Sequence, residues 1–277
     1  MTPTTDRRKQ TSRLTPPVIA LLTDFGLTDH FVATMKGVIL GTNPSAAIVD
    51  ISHGVVPQQV SQARYLLWSS YRYFPPGTIF VCVVDPGVGT DRRILIAEVD
   101  KRIFLAPDNG LLDLIFADNS KGTLVELRFD RARKYMLEEV SSTFHGRDIF
   151  APLAAHISRG IKIQDLGVRS EWRQVSSPFV RVREDVTKPS VVHIDRFGNV
   201  VTNIAVPSIE KAMQQFSLIT VGTSMVTTWV RSFGEAPDKT PALLCSSRGL
   251  IEVVVKNESA ATLLSANLFT PIRVYWK

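Results

Sequence analysis

Between residues 18 and 160 the chain alternates short apolar runs with longer segments whose apolar positions recur every three or four residues. The apolar runs predict buried strands, and the segments with helical spacing predict helices that cover the sheet. The predicted strands are VIALL, AAIVDI, TIFVCVVD, ILIAEV, IFLAP and TLVELRF. The predicted helices are PQQVSQARYLLWSSYRYF, a short one that starts in GLLDLIF, and FHGRDIFAPLAAHISRG. This alternation predicts an α/β domain with a mainly parallel sheet.

The pattern changes near Val168. Residues 169–190 are polar and aperiodic, which predicts a linker. From residue 191 onward short apolar runs dominate, and only PSIEKAMQQF has helical spacing. We therefore predict an α/β N-terminal domain at 18–168 and a smaller all-β, barrel-like domain at 191–277. Residues 1–17 are polar and basic and end in two prolines, which predicts a disordered tail.

Composition narrows the class of protein. The net charge is +6, but the basic tail has no aromatic residues, so a nucleic-acid partner is not expected. No apolar run reaches the roughly 20 residues that a membrane helix needs, and the N-terminus has no signal-peptide pattern. The two cysteines, Cys82 and Cys245, both lie in apolar runs and predict free thiols. Together these features predict a cytoplasmic protein.

Polar residues follow the predicted strands of the first domain, where open α/β sheets bind their ligands. These residues are Asp24, Asp29, Asp50, Ser52, His53, Asp85, Asp108 and Asn109, and the last predicted helix opens with His145, Arg147 and Asp148. A metal site at Asp24, Asp85, Asp108 and His145 is one interpretation, although no metal-binding spacing is present. The triplet Asp24-Phe25-Gly26 is not a kinase motif, because only 23 residues precede it.

Two segments of the second domain also carry polar residues in turns. IDRFGNVVTNI contains Asp195 and Asn199, and SSRGLIEVVVKNESA contains Ser247, Arg248 and the pair Asn257-Glu258. Each segment fits a binding site and equally fits an ordinary β-hairpin with a polar turn.

The chain resembles the S-adenosylmethionine (SAM) hydroxide adenosyltransferase family, which is related to fluorinating and chlorinating enzymes. The matching motifs, in order, are TDFGLTDHFVATMKG, VVDPGVGTDRR, APDNGLL, TFHGRD, FGNVVTNI and SSRGLIEV. The resemblance implies a homotrimer whose subunits each have an α/β domain followed by a β-barrel-like domain. It also implies hydrolysis of SAM to adenosine and methionine, with no metal and no cofactor.

The resemblance assigns roles to individual residues. It implies that Asp85, Arg92 and His145 activate the attacking water, with the adjacent Arg93 as the alternative to Arg92. It implies that Asp24 binds the two ribose hydroxyls through its two acceptor oxygens.

The remaining implied contacts come from the second domain of a neighbouring subunit. The adenine is expected to meet five residues, namely Phe197, Asn199, Phe233, Asn257 and Glu258. The methionine end is expected to meet Asp195, Ser247 and Arg248.

One departure from the halogenating branch bears on the reaction. That branch carries a tyrosine where this chain has Asp85, and a carboxylate facing the nucleophile would repel halide and favour water. A halide-using adenosyltransferase, a non-catalytic adenosine or SAM binding protein and a metal phosphohydrolase remain the alternatives.

Overall fold

A computed structural model describes residues 16–173, 175, 177–181, 183 and 187–277. The predicted tail at 1–17 lies outside this part except for its last two residues, and the other gaps fall within the predicted linker. Seven strands of the described chain form the first sheet: β1 (Val18–Thr23), β2 (Ala47–Ser52), β3 (Ile79–Val83), β4 (Ile94–Val99), β5 (Arg102–Pro107), β6 (Thr123–Leu127) and β7 (Gly167–Ser170).

The first sheet has the strand order β2-β1-β3-β5-β4-β6-β7. Strands β2, β1, β3 and β5 are mutually parallel, whereas β4 is antiparallel to both β5 and β6, and β7 is antiparallel to β6. Five strands therefore run in one direction, which confirms the prediction of a mainly parallel sheet. β3 is buried at every position because helices cover both faces, as its unbroken apolar run predicts.

Alternate residues of the central strands pack on opposite faces of this sheet. Ala20 and Leu22 face a cluster with Leu67, whereas Ile19 and Leu21 face the other cluster. The helices of this domain are α1 (Phe31–Thr42), α2 (Val60–Ser70), α3 (Asp113–Asp118), α4 (Phe129–Ala132) and α5 (Ala151–Ser158), with a π-helical turn (Gly146–Phe150) leading into α5. α2 and α3 thus lie on one face, and α1 and α5 on the other.

The second domain is built from two antiparallel sheets around one apolar cluster. One sheet has the order β12-β13-β9-β8 and the other β11-β10-β14. The elements are β8 (Val191–Ile194), β9 (Val200–Ala205), α6 (Ile209–Gln215), β10 (Phe216–Val221), β11 (Ser224–Val226), β12 (Ala242–Cys245), β13 (Leu250–Val254), α7 (Ala260–Leu263) and β14 (Ile272–Trp276). The prediction of an all-β second domain is confirmed. Its pattern did not predict β11 or α7, since each has at most four residues and is too short to show a period.

Helix α2 of the first domain packs against the second domain. Its buried face joins the same apolar cluster as Phe179, Val201 and Leu250, and the Trp68 and Phe179 rings lie with centroids 4.8 Å apart. The first sheet ends at Ser170 and β8 begins at Val191; the predicted domain bounds at 168 and 191 stay a prediction. Within the described residues, no helix is long and apolar enough to cross a membrane.

Candidate active site

Two adjacent strands of the first sheet end in aspartates at the same edge. In the parallel pair β1 and β3, Thr23 lies opposite Val83. Asp24 follows the first of these residues directly, and Asp85 lies two residues beyond the second. The strand register therefore brings the two carboxylates to one edge of the sheet, as their positions after strands predict.

Asp85, Arg92 and His145 form a continuous chain of contacts at this edge. Arg92 Nε lies 2.8 Å from Asp85 Oδ1 and 2.6 Å from Oδ2, and Arg92 Nη2 also contacts Oδ2. Arg92 Nη2 donates to His145 Nδ1 over 2.9 Å. The side chains of Asp85 and Arg92 are only 4% and 11% exposed, so water screens this ion pair little.

Arg93 is separated from this group. Its guanidinium pairs with Asp108 at 2.6 Å and with Glu126 at 3.3 Å. Arg173 also contacts Asp108, so this carboxylate already has two cationic partners. The structure therefore brings Arg92, and not Arg93, to Asp85 and His145.

Gly89 allows the loop that carries Asp85 and Arg92 to approach the loop that carries His145. Its φ is +79°, and a Cβ at this position would lie 2.3 Å from the carbonyl oxygen of Ser142. Any larger residue would separate the two loops, so the glycine is required by both backbone conformation and space.

The buried carboxylate of Asp148 holds the loop that carries His145. Asp148, in the π-helical turn, accepts hydrogen bonds of 2.8 Å from both the backbone N–H and the hydroxyl of Ser141. Burial raises the pKa of Asp148, but hydrogen bonds from Arg147 and Ser141 outweigh this and bring it below its ordinary value. The ionised Asp148 thus ties Ser141 to the turn that begins just after His145.

The contact with Arg92 determines which ring nitrogen of His145 carries the proton. A guanidinium can only donate, so His145 Nδ1 must be the acceptor and the proton of the neutral ring lies on Nε2. Burial, and then the charge of Arg92, lower the pKa of His145 below its ordinary value of 6.5. The ring is therefore neutral near pH 7 and presents an N–H donor.

We expect an NMR pH titration of the imidazole to show His145 gaining its proton only below pH 6.5. In Arg92→Gln the midpoint should move upward, because the positive neighbour is gone. A wild-type midpoint above 6.5 would contradict the assignment. Since the unfolded chain binds this proton more readily than the folded chain, His145 should also cost stability as the pH falls below 6.5.

Asp24 is held by the loop that follows β2. Gln58 donates its backbone N–H to Asp24 Oδ2 over 2.8 Å, which leaves Oδ1 without a contact from that residue. Gly26 N–H donates to the carbonyl of His53 over 2.8 Å, and the Thr23 hydroxyl lies 2.8 Å from His53 Nδ1. Next to Asp24, the Phe25 ring packs edge-on against Phe144, which directly precedes His145.

A cavity of about 850 Å³ lies in the β domain. It is lined by all five residues predicted to meet adenine and by Asp195, which was predicted to meet methionine. The lining residues are Asp195, Phe197, Asn199, Phe233, Gly234, Val255, Lys256, Asn257 and Glu258. The Phe197 side chain is 80% exposed at this cavity, and Phe233 is 51% exposed.

Asp195 organises the turn that forms one wall of this cavity. Its Oδ1 accepts the N–H groups of Phe197 and Asn199, each over 2.9 Å, and its Oδ2 accepts the side-chain amide of Asn199 over 2.8 Å. Gly198 has a φ of +83°, and a Cβ there would lie 2.0 Å from Ser259 Oγ. The glycine thus lets this turn pack against the segment after Asn257 and Glu258.

Ser247 and Arg248 lie in the turn between β12 and β13 and do not line this cavity. The Arg248 guanidinium stacks over the Trp68 ring at 4.0 Å and donates to the Trp68 carbonyl over 3.0 Å. Its Nε is buried and has no hydrogen-bond partner within the described part of the chain. The structure therefore places Arg248 between the two domains with one buried donor unsatisfied.

Among the described residues, no group of three or more His, Cys, Asp or Glu side chains is arranged to hold a metal ion. Asp85 instead pairs with Arg92, and Asp108 with Arg93 and Arg173.

Comparison with known proteins identifies the family. The family profile described as SAM hydroxide adenosyltransferase N-terminal domain matches residues 19–167, and the profile of the C-terminal domain matches residues 189–273. The chain belongs to the SAM hydroxide adenosyltransferase family. The resemblance inferred from its motifs is thereby confirmed.

Individual relatives of this adenosyltransferase-family chain match over most of its length. It is 34% identical over 260 residues to (R)-S-adenosyl-L-methionine hydrolase from Thermus thermophilus, covering 92% of this chain and 98% of that protein. It is 30% identical over 231 residues to a fluorinase from Actinoplanes sp., covering 71% of this chain and 74% of that enzyme. A crystal structure of an uncharacterized conserved protein from Thermotoga maritima matches with a TM-score of 0.81 and 32% identity, covering 93% of this chain and 99% of that one.

Several contacts that build the site of this family member were not predicted from the sequence, although Asp148 was already a candidate polar residue. Gln58 contributes only a backbone N–H, and Ser141 and Asp148 act on the loop beside His145. The glycines of DPGVGT were a sequence signal for a tight loop, but what Gly89 packs against depends on a loop more than 50 residues away.

Proposed function

We propose that the protein hydrolyses S-adenosyl-L-methionine to adenosine and L-methionine, with water attacking the ribose C5′ carbon. The observation that carries this proposal is the contact of Asp85 and His145 with Arg92 at one edge of the first sheet, in a family whose relatives include SAM hydrolases. The fluorinase relatives suggest halide transfer instead, but an anionic Asp85 beside the nucleophile disfavours halide.

The substrate itself limits what the protein must supply. As water bonds to C5′, the C5′–S bond breaks and its electron pair stays on sulfur, which becomes the neutral thioether of methionine. The leaving group therefore needs no proton. The protein must orient the water behind C5′ and receive the proton that the water loses. We propose that this happens without a metal or cofactor.

The geometry divides these tasks among the three residues. His145 donates from Nε2 in its neutral form, so it orients the water oxygen and does not take its proton. Asp85 is the acceptor, because a carboxylate that binds Arg92 still has lone pairs free for the water. Arg92 holds both groups in place and stabilises the hydroxide character of the attacking oxygen.

The proposed substrate-binding contacts are divided between the two domains. Asp24 holds the ribose hydroxyls at the strand edge beside Asp85, and the cavity around Phe197 and Phe233 holds adenine. Asp195 is proposed to bind the methionine ammonium group, with Ser247 and Arg248 on the carboxylate. The buried, unpartnered Nε of Arg248 supports this last role, since buried donors are nearly always satisfied.

Arg92 and His145 line one cavity of the described chain, whereas the residues proposed to meet adenine line another. We therefore propose that the complete site forms between subunits of a homotrimer, with the first domain of one subunit facing the second domain of the next. A head-to-tail contact of this kind closes into a ring when the rotation fits.

We expect the reaction in oxygen-18 water to yield methionine and adenosine labelled at the 5′-hydroxyl, because the attacking oxygen comes from solvent. Products are identified by chromatography and mass spectrometry, with both sulfur epimers of SAM, with and without chloride and EDTA. 5′-Chloroadenosine as the main product would identify halide transfer. Binding of SAM without turnover would identify a binding protein, and loss of turnover in EDTA would identify a metal enzyme.

A further inference from the structure

Gln62 is a buried amide in α2, and the proposed chemistry does not use it. The residue is only 5% exposed. Its Oε1 accepts the backbone N–H of Val56 over 2.8 Å, and its Nε2 lies 3.0 Å from His193 Nδ1. A buried amide is costly unless both of its ends are hydrogen-bonded, and here both ends are.

The two contacts of Gln62 have definite directions and connect separate parts of the chain. Because the Val56 N–H can only donate, the oxygen of Gln62 faces it and the NH₂ group faces His193. His193 Nδ1 is therefore an acceptor, and its ring stacks on Tyr65 with centroids 5.4 Å apart. His193 belongs to β8 of the second domain, whereas Val56 belongs to the loop after β2.

That same loop holds Asp24. Two residues after Val56, Gln58 donates its N–H to Asp24 Oδ2 from a backbone with a φ of +66°. A positive φ in a residue other than glycine is unfavourable and persists only where the surroundings impose it. The hydrogen bond from Val56 to Gln62 anchors this loop at a second point, two residues before the contact with Asp24.

We propose that Gln62 is a positioning residue that connects the second domain of the chain to Asp24 and so sets its grip on the ribose. It acts through two links: Gln62 joins His193 to the Val56 N–H, and the Gln58 N–H of the same loop joins that loop to Asp24. The proposal rests on the ribose-binding role proposed for Asp24.

The test is the preference of the assembled protein for adenosine over 2′-deoxyadenosine, measured by calorimetry. Gln62→Leu keeps the size of the side chain but removes both hydrogen bonds. We expect this preference to fall about threefold to tenfold, the effect of one or two lost hydrogen bonds. A purely structural role would lower the melting temperature and leave the ratio unchanged, because both nucleosides fill the same cavity.

Two further substitutions distinguish the loss of these hydrogen bonds from a general loss of stability. Gln62→Glu keeps the acceptor for Val56 and should retain more of the preference than Gln62→Leu. His193→Phe keeps a ring on Tyr65 but removes the acceptor from the other side, so it should lower the preference even if Gln62→Leu does not fold.

Phe179→Leu is the matched control. It weakens packing on Trp68 between the same two domains but touches neither link, so it should lower the melting temperature and leave the preference at the wild-type value. Asp24→Ala sets the ratio expected when the ribose contact is lost.

The outcomes separate the inference from the function on which it rests. Reduced preference in the Gln62→Leu and His193→Phe proteins, with Phe179→Leu unchanged, supports the proposal. A wild-type preference that Asp24→Ala abolishes but that neither Gln62→Leu nor His193→Phe alters overturns the role of Gln62 alone. If the wild type shows no preference and Asp24→Ala binds adenosine normally, the ribose role of Asp24 fails and this inference fails with it.

Discussion

Asp85→Asn is expected to lower the turnover of S-adenosylmethionine about a hundredfold or more, the usual contribution of a positioned acid or base. The amide has nearly the shape of the carboxylate, so the fold and the cleft should persist. It has no negative charge to pair with Arg92 and cannot receive the proton of the attacking water. The measurement is the turnover number at saturating substrate, together with the affinity for adenosine from calorimetry.

The expected pattern is lost turnover with nearly unchanged binding, because the role proposed for Asp85 is on the water and not on the nucleoside. Asp91→Asn is the matched control, since Asp91 is an exposed carboxylate in the same loop and should tolerate the change. His145→Ala should also lose about a hundredfold, through the lost N–H donor. Normal turnover in the Asp85→Asn protein, or lost binding with normal turnover at saturation, would remove Asp85 from the chemistry.

Mixing two inactive variants is expected to restore about a quarter of the wild-type activity per site if the site lies between subunits. Asp85→Ala removes the proposed water-activating group from the first domain and leaves the second domain intact. Phe197→Asp places a charge in the cavity proposed for adenine and leaves the first domain intact. When equal amounts are unfolded and reassembled at random, roughly a quarter of the interfaces join two intact faces.

Phe197 suits this experiment because its side chain is 80% exposed in the single chain, so the substitution should not affect folding. Arg248 is less suitable, since its guanidinium packs on Trp68 within the same chain. Each parent must be nearly inactive and still trimeric by analytical ultracentrifugation. Mixed trimers that remain as inactive as their parents would show that each site is formed within one chain.

The sequence alone predicted the α/β character of the first domain and the all-β character of the second, although it did not predict helix α1. Long apolar runs such as TIFVCVVD have few alternatives to a buried strand, because every position must be shielded from water. Helix α2 and the strands of the second domain other than β11 were equally predictable, since their patterns extend over enough residues to be distinct. The family and the grouping of Asp85, Arg92 and His145 were also predictable, because motifs such as DPGVGTDRR and TFHGRD keep their residue order even without a structure.

Only the tertiary structure decided how these residues meet. Arg92 is distinguished from Arg93 by its partners. Arg92 contacts Asp85 and His145, whereas Arg93 pairs with Asp108. The same holds for the position of Arg248 on Trp68 and for the backbone N–H that Gln58 presents to Asp24. Local sequence sets backbone preference and burial, whereas contacts between distant loops arise only when the whole chain packs, and these contacts give each polar side chain its partner and direction.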